Sequence, residues 1–64
     1  MEKMYEKLEN YLADRKNMCL CWAEEKKWEE YSHTRTEMMG ALDFCVEIGA
    51  ITVEEWTELI DTYM

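Results

Sequence analysis

The sequence predicts an all-α fold, a small antiparallel bundle of three or four helices forming a single domain over residues 1–64. Three observations lead there. The 64 residues include no proline and two glycines, so little in the chain breaks a helix. Apolar residues recur at spacings of three and four in several stretches, the period of a helix with one buried face. Two Thr-x-x-Glu tetrads, each the signature of a reciprocally bonded helix start, precede the later stretches.

The first element covers about the first sixteen residues. Met1, Met4, Tyr5, Leu8, Tyr11 and Leu12 form one stripe. Lys3 and Glu6, three apart, pair on the wet side. Arg15 and Lys16 then interrupt the stripe, and Asn17 follows, a residue that tolerates the left-handed conformation past a helix end. Basic residues in a last turn suit the helix dipole, which favours a stop at Asn17. The absence of glycine and proline from 1 to 39 favours one rod running on toward Tyr31.

The second element is helical from about Met18 to Tyr31. Met18 to Ala23 is a short apolar run, and periodicity alone does not separate a buried strand from a buried helix there. It lacks valine and isoleucine, and good helix formers follow it as far as Tyr31. The alternative fold is α+β, with a short β-hairpin around residues 18–31.

Ser32-His33-Thr34-Arg35-Thr36 is polar and rich in capping types, so it reads as the main break. Thr34 and Glu37 form the first capping box. Met38, Ala41, Leu42, Cys45 and Ile48 then line one face of a third helix, with Phe44 at its margin and Asp43 and Glu47 opposite. Gly40 inside this helix costs about 1 kcal/mol relative to alanine unless another element packs close to it. Gly49 suits the residue past the helix end, where φ is positive.

The last element has the clearest signal. Thr52 and Glu55 form the second capping box, and Ile51 and Trp56 stand at the two positions of a hydrophobic staple. Trp56, Leu59, Ile60 and Tyr63 follow at helical spacing. Two residues separate Gly49 from Thr52, so the chain turns sharply there.

Composition narrows the function. Fifteen acidic residues against seven basic ones give a net charge of −8, which disfavours direct binding of nucleic acid or an anionic membrane. Hydrophobic residues at 48% are too many for a disordered acidic tail. The start of the chain lacks the apolar core of a signal peptide, and the longest apolar run is far short of a membrane span. With three cysteines, an odd number, the expected setting is the reducing cytoplasm.

The charge is uneven. Residues 1–16 carry four acids and four bases, 17–33 four acids and two bases, and 34–64 seven acids and one base. Glu54, Glu58 and Asp61 fall at i, i+4 and i+7, one ridge of the last helix. Such a ridge keeps a protein soluble or steers a basic partner. Trp22 and Trp28 are too far apart around a helix for one small core to bury both. Tryptophan and methionine are enriched where proteins meet. Trp28, Tyr31 and Met39, with the acidic ridge, are therefore the expected interaction residues.

The expected function is non-enzymatic: an acidic module that binds a protein partner, basic in character, or a second copy of itself. Catalytic residues and cofactors are not expected, since no nucleophile motif or phosphate loop is present. A second reading is an inhibitor whose carboxylates mimic nucleic-acid charge and block a basic protein. A third is a small zinc-stabilised module. Cys19, Cys21, His33 and Cys45 supply the right donor atoms for it, but the Cys-x-Cys spacing is poor for one metal on a helix.

Overall fold

Two left-handed residues divide most of the chain. The computed structural model describes residues 3–64 and contains three helices: α1 over Met4–Glu24, α2 over Trp28–Glu47 and α3 over Val53–Tyr63. The described residues contain no strand, so the β-hairpin around 18–31 is not present. Met1, placed on the first stripe, lies outside the described residues.

The boundaries differ from expectation in one consistent way. α1 passes through Asn17 and reaches Glu24, and the turn falls at 25–27 instead. Lys26 takes φ 60, the left-handed conformation. Its amide donates to the Ala23 carbonyl at 3.1 Å, and the Lys27 amide donates to the Trp22 carbonyl at 2.8 Å. This pair of bonds is a Schellman motif, built on a lysine where glycine or asparagine is usual. α2 ends the same way. Gly49 has φ 74, its amide donates to Val46, and the Ala50 amide donates to Cys45.

Because α1 ends at this turn, α2 begins at Trp28 and runs straight through 32–36. Thr34 is therefore not a cap. It is buried in mid-helix, and its hydroxyl donates to the Glu30 carbonyl at 2.9 Å. Thr36 does the same to Ser32. A hydroxyl that bonds back to the carbonyl four residues earlier satisfies itself within a helix, so a polar stretch need not be a break. Glu29 and Glu30 sit in the first turn of α2, where acids complement the helix dipole.

The second capping box is formed in full. The Glu55 amide donates to Thr52 Oγ1 at 3.1 Å, and the Thr52 amide donates to Glu55 Oε1 at 2.9 Å. These bonds satisfy two amides that a helix start otherwise leaves open.

The core gathers Leu8, Leu12 and Cys19 from α1, Met38, Leu42 and Cys45 from α2, Ile51 from the connection and Leu59 from α3. α1 and α2 share the most extensive packing, and α3 closes against both. Ile48 and Phe44 lie outside this core, at 56% and 59% exposure. Ile51 takes the place expected for Ile48, because the turn at Gly49 carries it back until its amide meets the Cys45 carbonyl. Gly40 is exposed, and a Cβ there would have nothing within 4 Å, so no close approach explains it.

Candidate interaction surface

Side chains from all three helices meet at the far end of α3, whose last turn has no basic residue of its own. Two cations reach it from the neighbouring helices. Lys16 Nζ donates to the Thr62 carbonyl at 3.0 Å, and Arg35 Nη2 donates to the Met64 carbonyl at 3.0 Å. The Arg35 guanidinium also lies 5.8 Å from the Tyr31 ring centroid. Tyr31 meets Trp28 edge to face at 5.7 Å. Trp28, Tyr31 and Arg35 thus form one ladder along α2, with Trp28 exposed at its outer end and Tyr31 packed against the core.

Met39 is placed elsewhere, half-buried where α2 meets α3. That seam holds two open depressions. One, about 460 Å³, is lined by Arg35, Thr36, Met39, Ile60 and Met64. The other, about 340 Å³, is lined by Asp43, Val46, Glu47, Val53 and Trp56. In the wall of the second, Trp56 Nε1 donates to Asp43 Oδ1 at 3.1 Å, joining the two helices.

Glu54, Glu58 and Asp61 are all exposed on α3. The acidic field extends toward α1. Burial chiefly, and then the Glu9 carboxylate, raises the pKa of the Tyr63 phenol. Tyr5 is raised in the same way, by burial first and then by Glu9, Glu58 and Glu55. Each phenol thus holds its proton more tightly among carboxylates.

A third depression, about 390 Å³, lies between α1 and α2. Arg15, Met18 and Trp22 form one wall, and Glu29, Glu30, His33, Thr34 and Glu37 the other. Some of its polar groups pair with one another, while Arg15 Nε is buried without a hydrogen-bond partner. His33 Nε2 stands 3.0 Å from Glu37 Oε1, and Arg15 Nη1 stands 3.9 Å from Glu37 Oε2. The Arg15 guanidinium covers the Tyr11 ring at 5.0 Å.

The four candidate zinc ligands are not assembled. Cys19 and Cys45 are buried in the core, while Cys21 and His33 are exposed. Among the described residues, no three His, Cys, Asp or Glu side chains are grouped to hold an ion. On one continuous α1, residues 19 and 21 point about 200° apart, so they do not converge. Burial raises the Cys19 thiol pKa, an effect that Arg35 partly opposes.

The sequence reading missed Phe44, Ile48 and Val53, which are each more than half exposed. Val53 follows the capping threonine directly, and the first residue of a capped helix need not face the core. Among the described residues no helix is long and apolar enough to cross a membrane. Comparisons with protein-family models, curated proteins and solved structures give no match.

Proposed function

We propose that this protein is a non-enzymatic interaction module that binds a basic protein partner through exposed apolar side chains set in an acidic surface. One observation carries the reading. Met4, Leu20, Trp28, Phe44, Ile48 and Val53 are 45–62% exposed, a large share of the apolar side chains of a 64-residue chain. Single exposed apolar side chains are ordinary, but Phe44 and Ile48, four apart on α2, are neighbours on one helix face, and such adjoining exposure supports a surface that another molecule covers. The acids supply orientation, since no base follows Arg35. We read the three helices as an antiparallel bundle that presents this surface: the turn at Lys26 and the turn at Gly49 each reverse the chain. The expected setting is the cytoplasm.

The test is capture of an identified partner by immobilised protein at about 50 and 500 mM salt, a range over which the Debye length falls severalfold. Binding should weaken at high salt, weaken again in Trp28→Ala, and fall away when Glu54, Glu58 and Asp61 are all changed to lysine. Binding that ignores both salt and these changes overturns the reading.

Charge mimicry is the second reading, supported by the unbroken acidity of residues 36–64. It makes a separate demand: duplex DNA or RNA must compete with the protein for its partner. Absence of competition removes it and leaves the first reading standing.

A further inference from the structure

The seam between α2 and α3 has a repeating composition that goes further than general exposure. On α3, Val53, Trp56 and Ile60, with Met64 capping its end, succeed one another at steps of three, four and four, which keeps them on one side of the helix. On α2, Met39 and Val46 are seven apart, two helical turns, and face the same seam. These six apolar side chains line the two depressions, which follow one another in chain order along both helices, and the Asp43–Trp56 hydrogen bond ties the helices together in the wall of the one that holds Val53. Apart from exposed Val53 they are half-buried: packed from beneath and open from above.

We propose that this seam is a docking groove for an amphipathic helix of a partner protein whose apolar face is flanked by lysine or arginine. The inference rests on the interaction-module reading and specifies its site. Apolar side chains from two packed helices, lining two open depressions along their seam, suit a helix with anchors at i, i+3, i+4 and i+7. Charge complementarity sets the flanks. Asp43 and Glu47 stand at the rim on α2, and Glu54 and Asp61 are exposed on α3. Arg35, a cation that lines the groove itself, is already engaged with the Met64 carbonyl and the Tyr31 ring. A second copy of the chain fits poorly, because it would bring a second net charge of −8 against the same acidic rim.

The experiment is a displayed library of peptides of roughly 14 residues, about four helical turns. Leucine is fixed at the i, i+3, i+4 and i+7 positions, and the flanking positions are randomised. Selection is run against the wild-type protein, against Val53→Arg in the groove, against Leu20→Arg on α1 and against Trp28→Ala on the aromatic ladder. All three variant positions are well exposed, and circular dichroism melts establish that all four proteins are folded. Lysine and arginine should be enriched at the flanks, and the leading peptide should bind Val53→Arg at least tenfold more weakly and Leu20→Arg unchanged.

Enrichment of acidic flanks, or no enrichment, overturns the groove. Peptides that ignore Val53→Arg but are lost on Trp28→Ala also overturn it, while leaving the interaction-module reading intact at the aromatic ladder. Sedimentation of the unliganded protein as a dimer that Val53→Arg dissociates assigns the groove to a second copy and overturns the basic helix.

Discussion

Lys16 on α1 donates its ammonium proton to the carbonyl of Thr62 on α3, 46 residues further along the chain. The side chain therefore serves the C-terminal dipole of another helix, not that of its own. Lys16→Ala should loosen the last turn of α3 and cost about 0.5 kcal/mol, the scale of an exposed charge at a helix end. Added salt should shrink the difference between variant and wild type. Urea titrations at low and high salt measure it, and a difference that salt leaves untouched contradicts the electrostatic account.

Lys26 occupies a conformation that costs a side-chain-bearing residue roughly 1–2 kcal/mol. Lys26→Gly relieves it, and the extra freedom of glycine in the unfolded chain offsets part of the gain. A net stabilisation of about 0.5–1 kcal/mol is expected, seen as a rise in Tm of several degrees for a domain this small. A fall in Tm would mean that contacts of the lysine stem outweigh the backbone strain.

The two turns show what was legible in the sequence. Gly49, Thr52 and Glu55 act through bonds to residues within a few positions, so their roles are visible from local chemistry. The turn at Lys26 is not. Nothing in Glu25-Lys26-Lys27 prefers positive φ, and the reason it forms is tertiary: the turn lets Met38 and Leu42 join Leu8 and Leu12 in one core, and Lys27 close over the Trp22 ring at 5.4 Å. Missing this one turn displaced the helix end expected at Tyr31 and the supposed cap at Thr34, while at Asn17, where two readings were open, the helix runs on. Of the surface, Trp28 and the acids of α3 were legible as large or charged residues off the core stripe. Ile48 was not, because its exposure depends on Ile51 returning to the core, whereas Phe44 lies about a third of a turn off the Met38–Leu42–Cys45 face and is exposed by helix geometry alone.

Gly40 offers a simpler gain. It lies within α2, and a Cβ there would meet nothing within 4 Å. Gly40→Ala should stabilise the protein by about 1 kcal/mol through helix propensity alone. The check is the denaturant midpoint. Loss of stability would show that α2 needs glycine for a reason other than space.

Cys19 predicts a pH dependence. Burial, the larger effect, raises its thiol pKa in the folded state. A raised acid pKa means that the folded protein retains the proton more tightly than the unfolded chain. This contribution to stability is fully present below the unfolded thiol value of about 8.5 and is lost as pH rises through the higher folded value. Tyr5 and Tyr63, also raised, act in the same direction at more alkaline pH. Stability measured by denaturant at neutral pH and in mild alkali should fall for wild type and fall less for Cys19→Ala. Equal losses in the two proteins would sink the assignment.

Trp56 joins the core to the groove, and its two roles separate by substitution. Its ring packs against the core and is half-buried, while its indole N–H reaches Asp43 at 3.1 Å in an exposed position. Trp56→Phe keeps most of the apolar surface and removes the bond, so it should cost about 0.5–1 kcal/mol. Trp56→Ala removes both and should cost about 2–3 kcal/mol, below the range for a fully buried tryptophan. Asp43→Ala in the Trp56→Phe background should add little, because the bond is already gone. A double-mutant cycle tests this, and full additivity would mean that the Asp43–Trp56 bond does not hold α2 to α3. The groove would then lack that tie in its wall, and its two depressions would be independent pits instead of one track for a helix.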